Sequence, residues 1–384
     1  MKRSFFISFV SCLMGMVWAS SASAVPSFSA KYDKKCSYCH NAWPQLNAKG
    51  RKFKELGYRF RSDMSDDNSI LSGGSFREAV SAFVISRPYD KKDSGNRKLR
   101  AVQEVEVFIA GPIDSNFSAF MAIEAEDDEG FDFKTGPQVL AYRYSDEINL
   151  QASWSQVFNS DPYGFLRNNL RLTRSRSPLI DQRFGGADSG GRGRDKRQNL
   201  ALTGRIMDRL YYNLSYTGKA DDTEGDNAKG YAAQVAFDIT ENIMIGAFNW
   251  SGSDDGGGAA PTRDYSRSGA NFQADFANTR LEGGLILAKD DNAALTNEDE
   301  NLTYSVQALH TFRLKNGKPT WAPMIRYDYY ERNDGNDEYG EVAFNIGYYL
   351  KQNVKGFVEY WKQIDTPSGV DEDDRLTVQL QVGF

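Results

Sequence analysis

Arg375-Leu376-Thr377-Val378-Gln379-Leu380-Gln381-Val382-Gly383-Phe384 decides the fold of this chain. Successive side chains of an extended strand point to opposite faces. Leu376, Val378, Leu380, Val382 and Phe384 therefore share one face, and Arg375, Thr377, Gln379, Gln381 and Gly383 share the other. Strict alternation over ten residues marks a strand with one apolar and one polar surroundings. A barrel wall with lipid outside and water inside demands this pattern, and a soluble sandwich also accepts it, so the connections have to arbitrate.

About sixteen such segments run from 78–88 to 373–384, including 137–145 and 147–156 in the middle. Their connections alternate in length. Ser145-Asp146-Glu147, Met207-Asp208-Arg209, Thr240-Glu241-Asn242, Ala277-Asn278-Thr279 and Lys351-Gln352-Asn353 are tight, whereas the others are long and rich in Gly, Asp and Asn. Short turns on one side and long loops on the other are the asymmetry of membrane barrels. A terminal Phe resembles the assembly signal of bacterial outer-membrane barrels. Tyr327, Tyr329 and Tyr330, with Tyr348 and Tyr349, lie near strand ends where an aromatic girdle is expected. The expected fold is all-β, a transmembrane antiparallel β-barrel of about 16 strands whose ends both lie on the short-turn side. After residue 24, no stretch approaches the roughly 20 apolar residues of a membrane helix.

Lys2 and Arg3, an apolar run from Phe5 to Trp18, and Ala22-Ser23-Ala24 read as a signal peptide over 1–24. Residues 25–74 carry nine Lys and Arg against five Asp and Glu, and form a small basic head, mainly helical or irregular. Residues 75–384 have a net charge of −12 and make the barrel. About fifty residues give a marginal core, so the head is expected to plug the lumen or its inner opening. An exported chain whose basic part is this short is not expected to bind nucleic acid.

The head contains Cys36-Ser37-Tyr38-Cys39-His40. Two thiols at this spacing with a histidine directly after the second are the attachment pattern of one covalent c-type haem, the thiols forming thioethers and His40 binding the iron as proximal ligand. Cys12 falls in the signal and the one other histidine is His310, so a zinc site lacks ligands. A short redox disulfide is the surviving alternative. Pro44 stands where a backbone carbonyl can accept the second N–H of His40, an outer contact that orients the ring. Met64, 24 residues after His40, is the candidate distal ligand, with water, a lysine or an open position as alternatives. His310 falls with the apolar set Tyr304, Val306, Ala308 and Phe312, which places it toward lipid. Arg51 and Tyr58 are candidates to face the haem propionates.

Pro26-Ser27-Phe28-Ser29-Ala30, Cys36-Ser37-Tyr38-Cys39-His40, Pro44-Gln45-Leu46, Gly50-Arg51-Lys52-Phe53 and Gly57-Tyr58 together resemble the amino-terminal segment of the fused outer-membrane monohaem cytochrome-porins, which include ferrous iron oxidases. The match covers residues 26–60. The resemblance implies one haem c, a barrel in outer-membrane lipid, and electron flow from an extracellular donor, Fe(II) first, to a periplasmic electron-accepting cytochrome. Ferrous iron oxidase is the enzyme activity it implies.

Asp127-Asp128-Glu129, Asp221-Asp222 with Glu224 and Asp226, Asp254-Asp255, Asp290-Asp291, Glu298-Asp299-Glu300 and Asp371-Glu372-Asp373-Asp374 lie in the long loops. Carboxylate oxygens attract divalent cations and raise their local concentration. Against this pattern, Arg167, Arg171, Arg174, Arg176, Arg183, Arg192, Arg194, Lys196 and Arg197 crowd into 31 residues between the fifth and sixth strands. Folded inward, that connection would favour anions, which supplies the rival reading of a diffusion channel with an accessory haem. No protein-only triad can be assembled, and Gly256-Gly257-Gly258 lacks the strand-to-helix context of a phosphate loop.

Overall fold

The computed structural model describes residues 26–61, 78–166, 172–185, 191–224, 229–254, 261–292 and 294–384. Sixteen strands close into one antiparallel barrel. In chain order they are β1 (Val80–Lys92), β2 (Lys98–Pro112), β3 (Phe117–Glu126), β4 (Lys134–Arg143), β5 (Asn149–Ser155), β6 (Arg197–Ile206), β7 (Leu210–Thr217), β8 (Gly230–Thr240), β9 (Ile243–Asp254), β10 (Arg263–Phe276), β11 (Thr279–Asp291), β12 (Glu298–His310), β13 (Trp321–Arg332), β14 (Asp337–Lys351), β15 (Val354–Asp365) and β16 (Asp374–Gly383). Each pairs with its neighbour in sequence, and β16 closes on β1 with Val382 opposite Val84.

The alternation read from β16 is realised with the polar set inside. Thr377, Gln379 and Gln381 are buried on the lumen side, while Leu376 is exposed on the outer wall. The same division runs round the barrel: Val306, Ile325, Phe344, Ile346 and Val358 lie outward, whereas Thr303, Ser305, Gln307, Asn345 and Glu359 are buried inward. An apolar outer wall around a polar interior is what a bilayer requires. His310 takes the outward side as expected and bonds Thr279 through Nδ1 at 2.7 Å. Tyr348 faces outward, but Tyr330 and Tyr349 are buried in the lumen, so the expected girdle is corrected at those two positions. Adjacent residues of a strand cannot share a face.

Short turns and long loops separate as expected. Met207 and Asp208 both take positive φ in the β6–β7 turn, the geometry that lets a two-residue hairpin follow strand twist. The head comprises α1 (Pro26–Tyr32), a single 3-10 turn at Cys36–Tyr38, a short hairpin of His40–Ala42 with Gln45–Leu46, and α2 (Ala48–Glu55). The hairpin adds strand to a segment expected to be helical or irregular.

This head lies inside the barrel at the short-turn end. The Cys36 N–H donates to Gln352 Oε1 at 2.7 Å, and Arg51 Nη2 donates to the Glu241 carbonyl at 2.6 Å. Fully buried Arg59 donates to the carbonyls of Asp114, Ser115 and Asn116 at 3.0, 2.8 and 2.7 Å. Lys54 Nζ reaches the carbonyls of Asn159 and Asp161, and Glu55 pairs with Arg205 at 2.6 Å. The charges of Arg51, Lys54 and Arg59 are thus met by backbone oxygens outside the head.

The connection between β5 and β6 also folds inward. Its short helix α3 (Pro178–Asp181) packs against β11, β12 and β13, and Val157, Phe158, Leu166, Leu179 and Phe184 join β8, β9, β10, β11, β13 and β14 in a buried cluster. Glu359 on β15 clamps this segment by accepting the backbone N–H groups of Arg174 and Ser175 at 2.8 and 2.7 Å.

Replacing Arg59 by Met leaves three buried carbonyls without their charged donor and is expected to cost about 3 kcal/mol or more. Limited proteolysis in detergent checks this: the wild-type head resists cleavage, and R59M exposes it. Release of an intact, stable head from the wild-type barrel would contradict this seating.

Candidate functional site

Cys36, Cys39 and His40 line one cavity of about 190 Å³, open at its mouth. The sequence builds the site by tying α2 to the motif. Asn47 caps α2 by accepting the Gly50 N–H at 3.0 Å, its own N–H donates to the Cys39 carbonyl at 2.9 Å, and its side-chain amide donates to the Tyr38 carbonyl at 3.0 Å. A Cβ on Gly50 would stand 2.1 Å from the Cys39 oxygen, so only glycine allows this approach.

Aromatic rings supply much of the wall. Phe28 and Tyr32 of α1 meet Phe53 of α2 edge-on at 5.0 and 5.6 Å, and Tyr32 meets Phe60 at 4.8 Å. From the barrel, Phe83 stacks on Trp43 at 5.2 Å, Phe120 stacks on Tyr58 at 5.2 Å, and Phe108 lies between Phe83 and Phe120. Neither head nor barrel encloses the cavity alone.

Cys36 and Cys39 are free thiols, so the redox disulfide is not formed in this structure. Burial, reinforced by the neighbouring Cys36, pushes the Cys39 thiol up to about 11, so it stays protonated near neutrality. Burial pulls His40 down to about 4 against its hydrogen bond to the Pro44 carbonyl, which acts in the opposite direction. A neutral imidazole is the form that binds a metal. His40 Nδ1 bonds the Pro44 carbonyl at 3.2 Å, which leaves Nε2 as the nitrogen available to a ligand. Pro44 follows Trp43 through a cis peptide. The donor set therefore fits a covalently held macrocycle: two thiols, a neutral oriented imidazole and stacked apolar walls.

The other expected residues divide. Tyr58 lines the cavity. Arg51 does not; it is turned away to the Glu241 carbonyl, Gln273 and Asp275. Met64 lies outside the described residues.

The expected acidic loops are largely balanced by cations. Asp127 pairs with Arg100, Asp254 with Arg197 at 3.2 Å, Asp290 with Arg267 at 2.8 Å, and Asp373 with Lys92 at 2.5 Å. Asp226 and Asp255 are outside the described residues. The arginine-rich segment is balanced likewise. Arg174 faces Asp90, Arg176 and Arg194 face Asp181, Arg183 and Arg192 face Asp195, Lys196 faces Glu124, and Arg197 faces Asp254, whereas Arg167 and Arg171 are not described.

Two groups of residues escaped the sequence reading. Phe83, Phe108 and Phe120 are apolar residues on the inward face near the short-turn end, a break in alternation that marks where the head packs. Farther along the same face, Glu106 opposes Glu124 and Glu104 opposes Glu126. Like charges directly opposite destabilise a strand pair. Carboxylate oxygens of Glu104, Glu106 and Glu124 lie within 4.8 Å of one another.

No protein-family profile matches the chain. No curated protein matches it either. Solved structures of porin barrels do. The anion-selective porin from Comamonas acidovorans aligns with a TM-score of 0.62 at 10% identity over 79% of this chain and 98% of its own. The trimer form of OmpT from Vibrio cholerae aligns at 0.59 with 11% identity, over 79% and 98%. OmpF of Salmonella typhi, in complex with daunomycin, aligns at 0.56 with 13% identity, over 79% and 97%. The chain has a porin-type fold, a closed barrel of 16 antiparallel strands. A cysteine- and histidine-bearing segment is seated in its lumen.

The folded-state value of about 4 for His40 lies below the roughly 6.5 of an unfolded histidine, so the unfolded chain takes the proton first. The His40 contribution to stability is therefore complete above about pH 6.5 and is lost as pH falls from there to about 4, a difference of about 3 kcal/mol. Denaturant titrations of protein refolded with no group on His40 should show this decline, and His40→Gln should flatten it.

Proposed function

We propose that this chain is an outer-membrane electron-transfer protein carrying one c-type haem, which accepts electrons from an extracellular donor, Fe(II) first, and delivers them to a periplasmic cytochrome. The observation that carries the reading is the convergence of Cys36, Cys39 and a neutral, Pro44-oriented His40 on one aromatic cavity. Bound there, the haem supplies a one-electron iron couple.

In this reading Cys36 and Cys39 would anchor the macrocycle through thioethers, and His40 would hold the iron. Trp43, Phe83, Phe108 and Phe120 line the cavity and would keep water from the group. Met64 remains the proposed distal ligand. The inward glutamates Glu104, Glu106 and Glu124 line the same wall beyond Phe108 and Phe120, and their negative charge suits a divalent donor entering from the loop side. At the other end, exposed Lys34, Lys35 and Lys49 surround Tyr38, a basic rim suited to an acidic periplasmic acceptor.

Stopped-flow absorption at the haem alpha band, with Fe(II) added to oxidised protein in detergent, tests the donor. Rapid reduction in the wild type, lost in His40→Ala, is the expected result. Reduction by dithionite but not by iron would move the donor elsewhere, and absence of any haem spectrum in protein matured with haem would sink the reading.

The rival reading, an anion-selective diffusion channel, is favoured by the likeness to porins. The seated head, the infolded β5–β6 segment and the carboxylate partners of its described cations oppose it. Planar-bilayer recordings are expected to show small conductance without anion preference; large anion-selective steps would support the channel instead.

A further inference from the structure

The β14–β15 hairpin grips the head at both ends of the cysteine and histidine motif. Gln352, in the turn, accepts the Cys36 N–H on its side-chain oxygen at 2.7 Å. Three residues before it, Tyr349 on β14 donates its hydroxyl to the Trp43 carbonyl at 2.6 Å. Three residues after it, Lys355 on β15 donates through Nζ to the same carbonyl at 3.3 Å. The next carbonyl in the chain, that of Pro44, holds His40 Nδ1 at 3.2 Å. One hairpin of the barrel therefore bounds the segment from Cys36 to Pro44, and the residue that orients the imidazole follows directly on the residue the hairpin holds.

The barrel side of this grip is rigid. Tyr349 is buried, lies opposite Lys355 in the β14–β15 ladder, and donates its own N–H to the Thr320 carbonyl at 2.9 Å. A tyrosine has only two side-chain torsions, so a buried one on a paired strand presents its hydroxyl at a fixed point. The head side is weaker by itself. Its hairpin pairs only His40 with Leu46 and Ala42 with Gln45, and the register shifts between those two pairs. A lone two-stranded hairpin is marginal in water, and Pro44 has no N–H with which to tie down its own turn. The Trp43 ring is buried and stacked on Phe83 of β1 at 5.2 Å, so this turn is held by the wall at its ring as well as at its carbonyl.

We infer that Tyr349 and Gln352 are positioning residues for this site: the β14–β15 hairpin, and not the short ladder of the head, sets the angle of the His40 ring and the place of Cys36. The inference rests on the haem reading above. A carbonyl held on the Nδ1–H makes an imidazole a stronger donor to a metal at its other nitrogen. Stronger donation favours the oxidised metal, so loosening the Trp43–Pro44 turn weakens that hydrogen bond and favours the reduced one. The barrel thus acts on the ligand through hydrogen-bond geometry, one residue removed from it.

Proton NMR and redox titration of the full-length protein, matured with haem and purified in detergent, test this. In the oxidised state the pattern of paramagnetically shifted haem-methyl resonances follows the angle of the axial imidazole. Tyr349→Phe, which removes only the hydroxyl, should redistribute that pattern and shift the midpoint potential positive, with haem content unchanged. Gln352→Leu should also redistribute the pattern, and Gln352→Glu, which keeps an acceptor for the Cys36 N–H, should restore it. Tyr330→Phe, which alters a buried tyrosine at the loop end of β13, should change neither readout. If Tyr349→Phe does not assemble, Gln352→Leu compared with Gln352→Glu decides. An unchanged pattern and potential in Tyr349→Phe, or an equal change in Tyr330→Phe, would overturn the inference and leave the haem reading standing. A wild-type protein without haem would instead remove the reading on which it rests.

Discussion

The structure depends on a polar lumen being filled by the chain's own basic segment. A barrel of 16 strands leaves an interior lined by Gln, Asn, Glu and Arg side chains, and each buried group needs a partner. The head meets that need with cations: Arg51, Lys54 and Arg59 all reach barrel carbonyls. In return, the barrel gives a segment too small for a core of its own the aromatic wall of Phe83, Phe108 and Phe120. Removing either partner strands buried charge, so the two cannot be treated as separable modules.

The interior networks carry more than stability. Buried ion pairs gain little over apolar replacements of similar shape, but breaking one partner is costly. Arg205 joins Glu55 of the head to Asp238 and Tyr163 of the barrel, and Glu359 grips the backbone of the infolded segment. Such contacts fix position through direction and charge, which apolar packing against a smooth wall would not do.

The fold was legible because period-two alternation and the contrast between short turns and long loops are local signals; the strand number, the outward placement of His310 and the infolding of the β5–β6 connection follow from them. The Cys36-to-His40 spacing likewise pointed to three residues that do share a cavity, and the Pro44 carbonyl does lie against His40. What stayed hidden was long-range. Nothing near Arg51 in sequence announces Gln273 or Glu241 as its partners, and the loop acids read as a collecting field are mostly matched by cations distant in the chain. Tyr349 read as a girdle residue because its neighbour Tyr348 is one; a shift of one position turned it inward onto Trp43. The glutamate pairs of β2 and β3 were visible as alternating acids but become a cluster only through strand register.

The seam between β16 and β1 has a further consequence. It is the pairing of greatest sequence separation in the barrel, and non-local contacts of that kind close late because the intervening chain must first be ordered. Phe384 exchanges backbone hydrogen bonds with Ala82 at 2.8 and 2.9 Å, and the next residue, Phe83, is the ring that stacks on Trp43. The cavity wall is therefore finished by the step that shuts the cylinder. An assembly intermediate with that seam open would hold the cysteines and His40 without their full enclosure, so the wall around them is completed only as the barrel closes.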